Sequence, residues 1–340
     1  MGLSIGVGLT NACNCNCPHC YSRGKNTEYL NVKKLFELCE LCDVDAVNFG
    51  TGESILHPDF LECISFFSNK NIPMSLTSNG YTIDKLTDDQ LMKFHDIDLS
   101  IDFPFEEFQD SFRQNGQFKL ALHAIERCKK LNIECSVAYC LMNTNYKYIT
   151  EMIKFCRSLE VNLRINIYKP VQSDKFTLTY NQFWQAMNEL MENSELISCS
   201  EPIVCLALNN NDGNEDYRTP CGHNSLRIKP SGYVVPCVYM LGDNLSLDDL
   251  IYNLSQNISL QQIYSNYFGN CFDLPTECSG CEYNQICGGG CVSRRLLTDK
   301  CKPDIYCFVI KNKYQSLTAN WSKQTPKLIH SNYLCTLIVK

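Results

Sequence analysis

Three features of this chain predict an α/β protein of two unequal parts: strand-like and helix-like segments alternate through its first half, Gly and Cys punctuate its second half, and cysteine is unusually frequent. Six strand–helix units are read in the first part, the pattern that gives parallel strands joined by crossover helices. A strand near Leu3 to Leu9 opens the series. The helix Val32 to Cys42, in which apolar residues recur at three and four, leads to a strand from Val44 to Phe49. The helix Phe60 to Ser68 precedes a strand from Pro73 to Thr77, and a fourth strand is expected at Ile97 to Ile101. The helix Phe118 to Leu131 with the strand Ile133 to Leu141, then the helix Tyr146 to Leu159 with the strand Leu163 to Tyr168, complete the set.

After Lys169-Pro170 the pattern changes. One helix is expected around Tyr180 to Asn193, and the polar, Asn-rich stretch Asn209 to Asn214 reads as an exposed loop. From about Cys199 to Cys307 regular structure is hard to assign, and metal rather than a large core is expected to hold the chain. The expected division is a core at 1–198, a cysteine-rich unit at 199–310 and a tail at 311–340 that carries little signal.

The length of 340 residues allows one large domain and a smaller one. A formal charge of -7 and a pI near 5.4, with no cluster of Lys and Arg, exclude a surface built to grip nucleic acid. No apolar stretch is long enough to span a bilayer and no signal-peptide pattern opens the chain, so no membrane partner and a cytoplasmic location are expected. The 23 cysteines then do not read as disulfide staples, which belong mainly to small exported chains. In a reducing compartment they read as thiolate ligands, and soft sulfur points to iron–sulfur clusters or zinc.

The segment LTNACNCNCPHCY spaces Cys13, Cys17 and Cys20 as CxxxCxxC, with Cys15 inside, on the loop after the first strand. Three thiolates can hold three irons of a [4Fe–4S] cube and leave the fourth open. An open iron can bind the amino and carboxylate groups of a methionine moiety and bring its sulfonium beside the cluster. A zinc knuckle, or a four-cysteine redox cluster that also uses Cys15, is the plain alternative. A site at the C-terminal end of a first parallel strand, with further βα units behind it, is where barrel-like folds carry their chemistry.

On this triad the chain resembles the radical S-adenosylmethionine (radical SAM) superfamily, and the resemblance covers nearly the whole chain. It implies a partial (β/α)6 TIM-like barrel and bound S-adenosylmethionine, cleaved by one electron to a 5′-deoxyadenosyl radical. Gly50-Thr51-Gly52-Glu53 is similar to the family's Gly-Gly-Glu segment, with Thr51 in place of a glycine and Ser54 where proline is common. This implies that Gly50, Gly52 and Glu53 hold the methionine amino group. Ser78 and Asn79 after the third strand, and Ser100 with Asp102 on the fourth, resemble positions that face the adenosyl group. Arg113 resembles an arginine that pairs with the cofactor carboxylate, where a guanidinium can bind in bidentate fashion. His19 is similar to the residue before the last cysteine, whose backbone lies near adenine. Singly, such residues are turn formers or solvated charges; here they stand together in register.

In the second part, Cys221, Gly232 and Cys237 are spaced Cx10Gx4C, Cys278, Cys281, Cys287 and Cys291 are spaced CxxCx5Cx3C, and Cys307 follows. This order resembles the seven-cysteine signature of the SPASM extension, which implies two auxiliary [4Fe–4S] clusters and three clusters in all. By the same resemblance Cys221, Cys237 and Cys291 serve the inner cluster, and Cys278, Cys281, Cys287 and Cys307 the outer one. A fourth inner ligand is expected upstream of Cys221, with Cys205 the candidate and Cys199 behind it; if neither reaches, an open iron there can meet the substrate. Cys301 competes with Cys307, which is preferred because PDIYC resembles the family's segment whereas Cys301 sits among charged residues. Two structural zinc sites are the alternative.

Cys39, Cys42, Cys63, Cys128 and Cys156 fall on predicted helices and read as small buried hydrophobes. Cys140 differs, because the fifth strand can point it into the barrel, where a thiol can donate a hydrogen atom to a carbon radical; simple packing is the alternative. Phe103, Phe105 and Tyr168 are candidates for the substrate cavity or for the core.

Relatives with this extension mostly act on peptides, which implies maturation of a ribosomally made peptide by crosslinking or epimerisation, with a reductant such as flavodoxin or ferredoxin. Sulfatase-maturing relatives carry an aspartate directly after the cysteine matching Cys237; Val238 stands here and disfavours that role. Many peptide maturases begin with a leader-binding domain, whereas here the motif lies close behind Met1, so any leader is expected to be read by a separate leader-binding protein or another surface. Radical dehydrogenation or rearrangement of a small carbohydrate or cofactor precursor is the rival within enzymes, and a non-enzymatic iron–sulfur electron carrier is the rival outside them.

Overall fold

In the computed structural model, residues 3–23, 26–208, 221, 225–313, 315–323 and 335–340 are described; the Asn-rich stretch Asn209 to Asn214 lies outside them. Six strands run side by side in chain order, every neighbouring pair parallel: β1 (Leu3–Val7), β2 (Val44–Phe49), β3 (Met74–Ser78), β4 (Asp96–Ser100), β5 (Glu134–Leu141) and β6 (Asn162–Ile167). These lie within two residues of the strands expected from the sequence. The crossovers are carried by α1 (Val32–Leu41), α2 (Phe60–Asn69), α3 (Tyr81–Lys85), α4 (Asp88–Leu91), α5 (Glu106–Arg113), α6 (Gln117–Lys130) and α7 (Ile149–Ser158). The first three strands and their helices bury Ile5, Val47, Phe49, Phe60, Phe67 and Leu76 in a continuous apolar layer.

The opposite face of the strands is polar. Asn48 of β2 donates to Ser75 of β3 at 2.9 Å, and Asp98 of β4 is paired with Arg164 of β6 at 3.0 Å and hydrogen-bonded to Ser136 of β5. All are buried, and this alternation explains why the strands were legible although several carry charges. Helices α3, α4 and α5 were not expected. They are short, and the buried residue of α5 is Gln109, whose carbonyl accepts the amides of Asp102 and Phe103; a polar core residue leaves no apolar period to read.

The helix α8 (Tyr180–Asn193) matches its expected span and opens on a capping box between Thr179 and Gln182. It is followed by β7 (Glu195–Cys199) and α9 (Pro202–Ala207). The cysteine-rich part is more regular than the sequence suggested: it holds β8 (Ser225–Ile228), β9 (Tyr233–Val235), β10 (Leu245–Ser246), α10 (Leu247–Ser255), α11 (Leu260–Phe268), α12 (Asn284–Cys287) and α13 (Val292–Thr298).

The expected boundaries do not follow the sheet. Strand β8 adds to β1 in parallel, so the cysteine-rich part extends the barrel sheet directly. The tail contributes β11 (Asn320–Trp321), parallel to β7, and β12 (Thr336–Val339), which lies antiparallel between β6 and β7. The tail is therefore an internal part of the sheet and not an appendage. Among the described residues the order is β10-β9-β8-β1-β2-β3-β4-β5-β6-β12-β7-β11. All 23 cysteines are free of disulfides, and no described helix is long and apolar enough to cross a membrane.

Candidate active site and cysteine sets

A cavity of about 980 Å³ opens at the C-terminal ends of β1 to β6. Its wall is assembled from the loop after β1, Gly50 to Glu53 after β2, Ser78 and Asn79 at the end of β3, Ser100, Cys140, and Tyr168 with Lys169; Lys229 to Ser231 and Val238 to Asp243 close the side facing the cysteine-rich part. Parallel strands release their loops on one edge, so residues far apart in sequence converge there.

The cysteine loop is held from both sides. Asn11 exchanges hydrogen bonds with the backbone of Asn26 and Glu28, and Thr10 Oγ1 donates to Glu28 O. From β2, the Glu53 amide donates to Ala12 O at 2.8 Å and the hydroxyls of Thr51 and Tyr21 meet at 2.5 Å. Gly52 has φ +61°, and a Cβ there would run into the carbonyls of Thr10 and Ala12. Thr51 itself takes φ +79°, so the turn keeps its left-handed geometry without the expected glycine.

Within the loop, the thiol of Cys15 lies between those of Cys13 and Cys17 and is hydrogen-bonded to both. Asn79 Nδ2 reaches Cys15 Sγ at 3.2 Å and Cys13 Sγ at 3.7 Å. The Cys17 thiol is pulled down to about 7, first by the Cys15 hydrogen bond and then, against burial, by the Arg113 guanidinium, whose Nη1 is 4.0 Å away. Cys20 contacts Ser22 Oγ at 3.2 Å. Three cysteines at CxxxCxxC spacing, beside a cation and facing a cavity, are a soft donor set that fits a [4Fe–4S] cluster.

The remaining N-terminal candidates divide. His19, Gly50, Gly52, Glu53, Ser78, Asn79, Ser100, Arg113 and Cys140 all line the cavity. Glu53 is nevertheless committed to the protein: it accepts from the Asn79 amide at 2.6 Å, Ser78 Oγ at 2.8 Å and Thr82 Oγ1 at 2.6 Å, and burial raises its pKa against these bonds. Asp102 departs from expectation. It is fully buried and absent from the cavity wall, its carboxylate taken by Arg113 Nε and Nη2 at 2.8 and 2.7 Å and by the Cys140 amide at 3.0 Å. Its carboxylate holds Arg113 by Nε and Nη2, with Nη1 turned toward Cys17. His19, stacked on Phe112 with Nε2 3.5 Å from Asp102, is held down to about 4 by burial. Phe103 and Phe105 do not line the cavity; they pack with Phe108 and Tyr148. Tyr168 does line it.

Two further cysteine sets stand behind the second wall. Cys278, Cys287 and Cys307 lie close together, each raised by burial and in part by another of the set, with Cys281 beside Cys278 and Cys307, whereas Cys301 is exposed. Cys221, Cys237 and Cys291 are buried together, Cys237 in side-chain contact with Cys221. The upstream candidate Cys205 lies within the influence of Cys335 and turns its thiol to Cys199, with 3.4 Å between sulfurs and a hydrogen bond to Cys199 O. Helix α9 and strand β7 bring these two into one pair.

The sequence reading missed three neighbours. Lys169, buried at the cavity edge, lies 5.1 Å from the Tyr239 ring. Tyr239 packs edge-on against Tyr21 and bridges the two walls. Cys335, just before β12, contacts both Cys221 and Cys291. The only sequence signal for Cys335 is its place at the head of the apolar run in LCTLIV.

Comparison with known proteins agrees with this architecture. The mycofactocin maturase MftC of Mycobacterium tuberculosis is 23% identical over 312 residues, covering 85% of this chain and 78% of its own. Streptococcus suis SuiB bound to S-adenosylmethionine superposes with a TM-score of 0.70 at 16% identity, over 90% of this chain and 77% of that one. The enzyme anSMEcpe with bound AdoMet gives 0.71 at 16% identity, over 92% of each chain. Residues 7–156 match the Radical SAM superfamily. The chain thus carries a radical SAM domain over residues 7–156, followed by a cysteine-rich region.

Proposed function

We propose that this protein is a peptide maturase that binds S-adenosylmethionine and a segment of a ribosomally made peptide in the one cavity, and crosslinks or epimerises that segment. The observation that carries the reading is the composition of the cavity wall: the cysteine loop forms one side, and Val238 to Asp243, adjoining Cys237, form another. Its volume of about 980 Å³ is at the upper end for a small-molecule site and leaves room for a side chain beside a nucleoside-sized cofactor. The names of relatives support a peptide substrate, since MftC is a maturase and SuiB has a structure bound to the precursor peptide SuiA.

Cys13, Cys17 and Cys20 would hold the cluster nearest the cavity, and the two further sets would hold the auxiliary clusters, three in all. When bound, the cluster and S-adenosylmethionine supply a 5′-deoxyadenosyl radical able to take a hydrogen atom from an unreactive carbon. The protein's own residues orient and exclude water. Arg113, fixed through Asp102, presents Nη1 near Cys17 to a carboxylate. Gly50, Gly52, Ser78 and Asn79 offer backbone and amide groups, with Ser100 and His19 on the same wall. Burial holds the Cys140 thiol neutral, the state in which it can return a hydrogen atom. Val238 lines the cavity and brings no base. Electrons would come from a flavodoxin- or ferredoxin-type reductant.

The test uses reconstituted, anaerobic full chain with dithionite, S-adenosylmethionine and candidate precursor peptides. Formation of 5′-deoxyadenosine together with a peptide that has lost two hydrogens supports crosslinking; a peptide of unchanged mass in ordinary water that gains one deuterium in heavy water supports epimerisation. Turnover of a small carbohydrate but of no peptide overturns the reading, and so does a protein that keeps its clusters and never cleaves the cofactor.

A further inference from the structure

Strand β12 fixes Cys335 with little freedom. Thr336 pairs with Asn166 of β6 and Leu337 with Cys199 of β7, so both flanks of the strand are in ladders immediately after Cys335. Ser200 clamps the same point, its amide donating to Thr336 O at 2.9 Å and its Oγ accepting from the Thr336 amide at 3.1 Å. The side chain that results is buried, and its thiol meets those of Cys221 and Cys291. Sulfurs of Cys291 and Cys335 and a carboxylate oxygen of Glu201 all lie within 4.8 Å of one another. Cys237 joins through Cys221. Four buried thiols are thereby contiguous: Cys221, ahead of β8 in sequence, Cys237 after β9, Cys291 at the N-cap of α13 and Cys335 immediately before β12.

We infer that Cys335 is the fourth protein ligand of the inner auxiliary cluster, completing a set with Cys221, Cys237 and Cys291 in place of Cys205. The inference rests on the reading that this set holds iron and sulfide. Two neighbours are rival ligands, Glu201 and Cys205. Glu201 gives one oxygen to Arg294 at 2.6 Å while its other, buried oxygen has no hydrogen-bond partner, but a carboxylate is a harder donor than a thiolate. Cys205 is paired with Cys199. With four thiolates from the chain, no iron of that set is left for a substrate atom, so the substrate side of this wall is made by Val238 and Tyr239, which line the cavity. Substrate is then held by side chains, and the set serves electron transfer.

The experiment compares anaerobically reconstituted wild type with Cys335→Ala, Cys205→Ala and Cys199→Ala, reading iron and sulfide per chain and the low-temperature EPR spectrum of the dithionite-reduced protein. Wild type is expected to hold about twelve irons. Cys335→Ala should lose about four irons, or about one with a three-iron signal on oxidation, while the Cys205 and Cys199 variants keep the wild-type content and spectrum. Since Cys335→Ala can misfold, Cys335→Asp is measured too: an oxygen ligand in that place should keep the iron and shift one reduced-cluster signal. Wild-type content and spectra in both Cys335 variants, or the loss appearing in Cys205→Ala instead, overturn the inference while leaving the auxiliary clusters standing. A wild type holding only about four irons overturns both.

Discussion

The chemistry of the first cysteine loop depends on single atoms. Cys17 has two groups that favour its thiolate, the Cys15 thiol and the Arg113 guanidinium, and it lies on the cavity wall. Cys17→Ala is expected to abolish 5′-deoxyadenosine formation and to remove about four irons per chain, checked by chromatography of the nucleoside and by iron analysis. Gly52→Ala tests the turn that grips the loop. A left-handed φ and a collision with two carbonyls together should cost about 1–3 kcal/mol, seen as a lowered melting temperature with reduced iron uptake. Cys140 is read through the product: Cys140→Ala should leave cofactor cleavage intact and, for an epimerised peptide, abolish incorporation of solvent deuterium. At this scale the sequence was informative where motif spacing speaks for itself, as with Cys13, Cys17 and Cys20. It was not informative for Asp102, whose neighbours in space, Arg113, His19 and Cys140, come from three other segments.

Elements meet through a few buried polar joints. Arg294 of α13 is fully buried, ion-paired with Asp304 and with Glu201 ahead of α9, and stacked on the Tyr306 ring at 4.8 Å. Asp304 also accepts the Cys291 amide, so this joint sets where two of the cysteine segments lie. Arg294→Leu leaves two buried carboxylates uncompensated and is expected to destabilise the protein by about 3–5 kcal/mol, read from thermal or urea unfolding of the reconstituted chain. The capping box of α8 gives a milder case: Thr179→Ala should cost about 1 kcal/mol and leave the clusters alone. That helix could be read in advance because its cap, its length and its apolar period coincide. Helix α5 could not, since its one buried side chain is an amide that bonds to backbone.

For the whole molecule, the sheet is the organiser, and its order departs from chain order where the cysteine-rich part and the tail enter. Strand β12 satisfies the facing edges of β6 and β7 at once. A chain shortened by residues 335–340 is expected to leave both edges unpaired and to aggregate on purification, checked by size-exclusion chromatography beside full-length protein. The sequence by itself determined the six parallel units, the three-cysteine loop and the order of the later cysteines, because apolar periodicity and short spacings act between residues near one another along the chain. Which thiols share a set was decided by tertiary structure. Cys335 reaches Cys221 and Cys291 only because an antiparallel strand is seated between two distant ones, and Cys205 is drawn to Cys199 by the turn into α9. Hydrogen-bond ladders between remote segments set those distances, and no spacing within the chain records them.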